Sequence, residues 1–513
     1  MTFFESLLSL LVVAILLLQA SRRLAIPYPT MLAAAGVGLA LIPGVPQIGL
    51  DPHTALALFI APALVDAAFD FPAHAFKRFW RPLFALAVLA VVLSAGAVAW
   101  LAMVTVGLPL YAALALGAIV APPDAAAATA VLRNVRMPRR SVTVLKGESL
   151  LNDASALLLF STAMSLQNHG GFDGELALRL VVAAPGGLLL GIFLAKAYRL
   201  FSPLVAGTLG GNLLEFVTTF GAWIVAERLQ LSAVLCLVGF AMTIARSARL
   251  ATRPRMRIHS FAVWSTAVFL LNVLAFLLMG LQARTIVAGM TPDRLRDAAW
   301  FAGMVILCLI VVRLAWVLVY NRMAHRFRWL QGDSPPPSWR HAVLVGWCGM
   351  RGLVTLATAF ALPASFPQRE LIVLTAFAVV LATLIVQGLT LTPFVHFLKL
   401  DGDDGAAAEL AAARADLASV ALATLDGHSS PAADHWRHKF QALREASTFN
   451  GNSAALAFHR KLGQAAVRRQ RERLEELRLA ERVDADTFLV LQEELDFAEV
   501  TLSVESERQI EES

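Results

Sequence analysis

Between Lys146 and Phe160 the chain reads KGESLLNDASALLLF, so two carboxylates, a carboxamide and a hydroxyl interrupt an otherwise apolar segment. On an α-helix, positions four apart share a face while neighbours diverge by about 100°. That sorts the polar groups into two stripes, Ser149 with Asp153 and Glu148 with Asn152. A carboxylate near the middle of a bilayer costs about 2.5 to 3.5 kcal/mol on insertion scales, so each acid needs a partner or a task. Arg313, a lone guanidinium in VILCLIVVRLAWVLVY, must itself be paired. Glu148 is assigned to Arg313 as a structural ion pair, which leaves Asp153 open to water and ions as the exchangeable site. Ser149 and Asn152 are the candidate sources of neutral oxygen beside it.

Three further charges fall inside apolar stretches. Asp66, in LFIAPALVDAAFD, is a candidate second ligand or gate, with pairing to a nearby backbone or serine donor as the structural alternative. Asp124 follows Pro122 and Pro123 in YAALALGAIVAPPDAAAATAVL, where the prolines remove backbone donors and disfavour helix just before them. Arg351 lies in HAVLVGWCGMRGLVTLATAFALP, where Gly346, Gly349 and Gly352 loosen the helix. Half-helices that meet in a membrane present partial positive charge at N-terminal ends and partial negative charge at C-terminal ends. Asp124 and Arg351 have the signs to compensate such ends at a crossing, and that role is favoured for both over direct ion ligation. Lys146 is expected to snorkel to the cytoplasmic side, and Asn272, Gln282 and Gln387 to serve as interhelical glue.

The elements that must position these groups are membrane helices. The chain has 513 residues, 58% hydrophobic and 16% charged, where soluble proteins carry about 25% charged residues. Apolar runs long enough to cross a bilayer follow one another from Thr2 to about Leu398, about thirteen in all. The first run lacks the basic flank and the cleavage site of a signal peptide and is expected to be retained. Alternate loops hold roughly twenty Lys and Arg against roughly six in the others, which puts the N-terminus outside and the C-terminus in the cytoplasm. The two interrupted runs are the fifth and the twelfth. Their odd offset suits an inverted-topology repeat, and interruptions at matching positions of two halves point to a transporter's binding site. The expected fold class is therefore an all-α polytopic membrane protein of about thirteen transmembrane helices, in two inverted repeats with two broken, crossing helices. Residues 1–399 form the expected transmembrane transporter domain. Residues 400–513, rich in helix formers of mixed charge, form an expected cytoplasmic helical tail that regulates or stabilises it.

GESLLND at Gly147 to Asp153, PPDAAAATAV at Pro122 to Val131, GMRG at Gly349 to Gly352 and the acid in APALVDAAF together resemble the first monovalent cation/proton antiporter family, which contains the bacterial antiporters and animal sodium/proton exchangers. The resemblance runs from about Leu8 to Lys399 and leaves the tail outside. It implies a homodimer of thirteen-span protomers, each with a dimerisation domain and a moving core. It also implies a transported monovalent cation on Asp153 with Ser149 beside it, Asp66 contributing from the third span, Asn152 as in electroneutral members, and Glu148 paired with Arg313. Two positions depart from the common pattern: Pro123 stands where many members have threonine, and Asp66 replaces a glutamate common in prokaryotic members.

The expected activity is secondary transport of a monovalent cation, with Na+ favoured over K+ or Li+, against H+ in the bacterial inner membrane, at one proton per cation. Position 152 holds an asparagine, which cannot ionise. No cofactor is implied, and besides the two ions and the bilayer the candidate partners are a second copy of the chain and a cytoplasmic regulator of the tail. Basic loops that set topology account for the net charge of +6, and nucleic-acid binding is set aside. A cation channel gated by the tail is the alternative from another class, although paired broken helices in inverted halves do not suit a continuous pore. An intramembrane enzyme would need a nucleophile with a base, or paired catalytic aspartates; GFDG at Gly171 to Gly174 falls in a loop, and no serine and histidine are read as sharing a site. Cys236, Cys308 and Cys348 have no metal or disulfide spacing.

Overall fold

The computed structural model describes residues 3–24, 28–40, 52–124, 139–169, 174–205, 207–247, 254–287, 291–331, 336–363, 365–400, 405–448 and 454–503. The regular elements among them are helices. The chain divides into two compact units, Met1–Gly402 with the final residue and Asp403–Glu512.

The first unit contains α1 (Phe3–Leu24), α2 (Tyr28–Ala40), α3 (Pro52–Asp70), α4 (Ala73–Phe84), α5 (Ala90–Val106), α6 (Leu110–Val120), α7 (Arg139–His169), α8 (Gly174–Phe201), α9 (Gly210–Arg228), α10 (Ala233–Ser247), α11 (Pro254–Val287), α12 (Pro292–Arg326), α13 (Trp339–Trp347), α14 (Leu353–Phe360) and α15 (Arg369–Phe397). Among the described residues, six stretches are long and apolar enough to cross a bilayer: His74–Val106, Ser141–Gln167, Val181–Leu204, Pro254–Leu278, Pro292–Arg326 and Arg369–Phe397. Leu8–Ser21, Leu110–Val120 and Ala233–Arg246 are apolar but shorter. The unit is thus a multi-pass membrane protein.

Lipid is as apolar as leucine, so membrane helices associate through close backbone packing rather than through burial from water. Gly187 and Gly191, four apart on α8, show this. A methyl group on them would fall 2.4 Å from the Ser232 carbonyl oxygen and 1.9 Å from that of Cys236, so α8 and α10 touch backbone to backbone. Among the described residues the two larger apolar cores lie apart from a small third cluster of Val91, Ala95, Ala121 and Ala156. One of the larger two gathers Leu32, Ile60, Leu237 and Leu277, the other Leu116, Ile119, Leu309 and Val379. The short helix α14 contributes to both, giving Leu353 and Leu356 to the first and Ala359 to the second.

Between α4 and α5 one wide π-turn, Ala85–Leu89, continues the helix. Its Ala90 N–H bonds the Ala85 carbonyl, and that oxygen's second lone pair accepts Trp316 Nε1–H from α12 at 2.8 Å. Such turns are single-residue accommodations that often lie beside functional sites, and this one packs on α7.

The second unit is two helical hairpins, α16 (Gly405–Thr424) with α17 (Pro431–Thr448) and α18 (Ala454–Leu479) with α19 (Ala485–Leu502). Asp484 caps α19 by accepting the Thr487 N–H at 2.8 Å. Arg471 of α18 reaches Glu499 at 2.7 Å and also Asp496, which ties the second hairpin together.

Candidate functional site

The two interrupted stretches meet. α6 stops at Val120, and Ala121 closes it with a bond to the Gly117 carbonyl at 3.0 Å. Pro122 and Pro123 then leave the helix, and the Asp124 N–H donates to the Met350 carbonyl at 2.6 Å. The second half-helix expected after Asp124 falls in residues 125–138, outside the described residues. In the other stretch α13 ends at Trp347, and Cys348 to Arg351 run non-helically to Gly352, the N-cap of α14.

Where the two stretches meet, charges oppose the helix ends they face. Arg351, fully buried, donates from Nε to the Val120 carbonyl at 3.1 Å and from Nη1 to the Gly349 carbonyl, so its cation covers the C-terminal end of α6. Its own N–H donates to Thr383 Oγ1 of α15 at 3.1 Å. Asp124 lies at the N-terminal end of α14. A methyl group on Gly352 would fall 1.8 Å from Asp124 Oδ2, so the carboxylate fills the place an N-cap side chain would take. Both placements are favourable to the helix dipoles and to the unpaired end groups.

α7 carries the expected acids past this meeting point. Glu148, 1% exposed, accepts Arg313 Nη1 at 2.5 Å and Nη2 at 3.0 Å, in a two-pronged ion pair joining α7 to α12. Arg313, 3% exposed, adds a 3.3 Å bond from Nη2 to the Val345 carbonyl of α13. Asn152 is fully buried and donates from Nδ2 to the Pro123 carbonyl at 2.6 Å, which clamps α7 to the break in the fifth run. Its Oδ1 has no hydrogen-bond partner among the described residues. Asp153, half-buried one residue further on, lies within electrostatic reach of Asp124. Ser149, also half-buried, is one turn back on the same face as Asp153. Asp66 is half-buried on α3, a helix that packs on both α7 and α14.

Glu148 with Arg313, Asn152 with Pro123 and Asp124 with Met350 and Gly352 are therefore joined directly. Asp153 and Ser149 share one face of α7, and Asp66 belongs to the neighbouring helix. The carbonyl acceptors of Val120, Pro123, Val345 and Met350, and the Thr383 hydroxyl, were outside the sequence-based expectation. Backbone acceptors leave no mark in residue types. Thr383, a polar residue in the middle of an apolar run, was the one available sign.

The model for the family described as sodium/hydrogen exchanger, transmembrane, matches residues 7–397. An uncharacterized Na(+)/H(+) exchanger of Mycobacterium bovis is 31% identical over 77% of this chain and 75% of its own length. A sodium, potassium, lithium and rubidium/H(+) antiporter of Bacillus pumilus is 31% identical over 71% of this chain and 57% of its own. Among solved structures, the sodium proton antiporter MjNhaP1 from Methanocaldococcus jannaschii shares the fold with a TM-score of 0.57, at 19% identity over 79% of this chain and 100% of that one.

Proposed function

We infer that this chain, which belongs to the sodium/hydrogen exchanger family, exchanges a monovalent cation for a proton at Asp153, one for one. The observation that carries the assignment is the different fate of the two acids on α7: Glu148 is locked by Arg313, while no ion pair joins Asp153 to another described residue.

A carboxylate carried empty across the membrane would bring an uncompensated charge into a medium of low permittivity. The moving core therefore changes sides only when a proton or a cation neutralises Asp153, and competition between the two for one site couples their fluxes. Ser149 supplies a neutral oxygen from the same helical face, Asn152 Oδ1 a second, and Asp66 a ligand from α3. Asn152 cannot ionise, so it adds no second proton. Glu148 with Arg313 fixes α7 against α12, and Asp124 with Arg351 neutralises the half-helix ends, so these four hold the site's frame. The working arrangement is a homodimer in the bacterial inner membrane, thirteen spans per protomer in two inverted repeats. The N-terminus is outside, and the cytoplasmic tail from about residue 400 adjusts the rate or responds to a regulator. Na+ is the favoured cation. The Bacillus relative is named for sodium, potassium, lithium and rubidium, which makes K+ and Li+ the ones to compare.

The test is cation-driven proton flux in proteoliposomes, followed with a pH-sensitive dye. Asp153→Asn is expected to abolish flux while the protein still purifies as a folded species, and Asp66→Asn to weaken apparent cation affinity. Retained flux in the first variant removes Asp153 from the site. A membrane potential clamped with potassium and valinomycin, with Na+ or Li+ as test cation, supplies about 2.3 kcal/mol per charge per 100 mV. The reversal point is expected not to move with potential. Movement would mean that net charge crosses, through a second proton or a conducting pore.

A further inference from the structure

α16 has two apolar faces and the structure covers one of them. Ala418 and Leu422, 4% and 9% exposed, turn toward α17. The opposite face presents Leu410, Ala413, Leu417 and Val420 to solvent, with Leu417 69% and Val420 60% exposed. The intervals are three, four and three residues, the alternation of the a and d positions of a two-stranded coiled coil. With Leu410 and Leu417 at a and Ala413 and Val420 at d, Glu409 and Asp416 fall at g, and Arg414 and Ala421 fall at e.

That register names its own complement. In a parallel pair, each g residue faces the e residue of the following heptad on the other strand, where opposite charges set partner choice and orientation. Glu409 and Arg414 each have an interaction within one copy, which the pair would exchange: Glu409 would meet Arg414 of a second copy, and by symmetry the same pair forms twice. The other g position, Asp416, meets Ala421 and no like charge. We propose that the uncovered face of α16 is a homotypic interface, which pairs in parallel with α16 of a second copy of this chain.

Other occupants fit less well. The described charges along the helix, Glu409, Arg414 and Asp416, sum to net negative, which an anionic cytoplasmic leaflet does not attract. α19 also exposes apolar residues at the same intervals, Val490, Phe497 and Val500. Its remaining stripe position is Glu493, however, and two copies would set acid against acid. A coiled coil of only about one and a half heptads is too short for free peptides in water. Attachment of each helix to a membrane unit raises the effective concentration at which the copies meet.

The experiment uses the full chain in proteoliposomes with Cys236, Cys308 and Cys348 replaced by alanine. Single cysteines are introduced by Leu417→Cys and Val420→Cys on the stripe, and by Ala412→Cys and Ser419→Cys beside it, and each is oxidised with copper phenanthroline. The stripe positions are expected to give covalent dimer at least fivefold faster than the flanking ones. With Leu417→Cys as reporter, Glu409→Lys should slow cross-linking at least fivefold, and Glu409→Lys with Arg414→Glu should restore it. Equal rates at all four positions would mean mere tethering of two tails and would overturn the proposal, as would no cross-link at the stripe. Indifference to the charge reversal, or failure of the double reversal to rescue, would overturn the parallel register.

Discussion

Removing either partner of the Glu148–Arg313 pair should destabilise the membrane unit, and the two removals should be unequal. Breaking a buried ion pair from one side leaves an uncompensated charge and costs about 3 to 5 kcal/mol. Here a third buried charge decides the order. Arg351 lies within electrostatic reach of both Glu148 and Arg313 and is itself fully buried. Glu148→Ala leaves the Arg313 and Arg351 guanidinium groups facing each other without the Glu148 carboxylate, whereas Arg313→Ala leaves Glu148 still attracted to Arg351. A unit charge pair at ~8 Å is worth about 2 kcal/mol at an effective permittivity of about 20. The alanine at 148 should therefore be worse by a difference on that order. Unfolding entropy of about 2.1 cal/mol/K per residue over ~400 residues gives about 0.8 kcal/mol/K, so 3 to 5 kcal/mol is about 4 to 6 °C in apparent melting temperature. Intrinsic tryptophan emission during heating in detergent, checked by recovery of monodisperse protein, measures it. The double mutant should lose clearly less than the two single losses added. Additivity within about 0.5 kcal/mol, or a larger loss for Arg313→Ala than for Glu148→Ala, would refute the reasoning.

Gly352→Ala should cost at least about 1 to 2 kcal/mol, the scale of a lost N-cap, because its methyl group would evict the Asp124 carboxylate from the end of α14; an unchanged melting temperature and transport rate would mean that the carboxylate is dispensable there. Hydrogen bonds from Thr487, side chain and then backbone, hold Asp484 below its usual carboxylate value. The cap's contribution is thus present above about pH 4 and lost as pH falls through the lowered value, so Asp484→Ala should speed amide exchange in residues 485–490 near neutral pH, by a factor that shrinks as pH falls through that value, after correction for intrinsic rates. Truncation after Gly402 should leave cation-driven proton flux intact and change its rate or pH profile; a truncated protein that folds but transports nothing would place part of the machinery in the tail.

The parts of the site that residue type and periodicity could disclose were those in which a charge stood alone in apolar sequence. Glu148 and Arg313 were such a case: each was too costly in lipid to stand alone, and the choice of partner followed from elimination. The breaks at Pro122 with Pro123 and around Gly349 with Gly352 were also visible, because proline and glycine act on the backbone locally. The hidden parts depend on tertiary placement. Asn152 was expected near the ion as a source of neutral oxygen, and nothing in its residue type disclosed that its Nδ2 also holds the Pro123 carbonyl, a contact between α7 and the break that no local pattern encodes. The π-turn at Ala85–Leu89 escaped notice because its sequence, ALAVL, is ordinary helix, and the acceptor it offers is answered by Trp316 from far along the chain. The count of about thirteen runs rested on hydropathy alone, whereas six stretches meet length and apolarity together among the described residues. The remaining runs include segments such as α6 and α10 that are too short to span unaided.

The bond from Arg351 to the Val120 carbonyl has a consequence for biogenesis. Its two residues are 231 positions apart, and a ribosome adding about 5 to 20 residues per second needs roughly 10 to 45 s to travel that distance. Over that interval the first half of the fifth run has been made and its covering cation has not. An exposed carbonyl in hydrocarbon costs several kcal/mol, so the end of α6 must meanwhile be met by water, by the insertion machinery or by lipid headgroups. The fifth run is therefore an unfinished insertion that the twelfth completes, and final seating of the earlier half waits on synthesis of the later one.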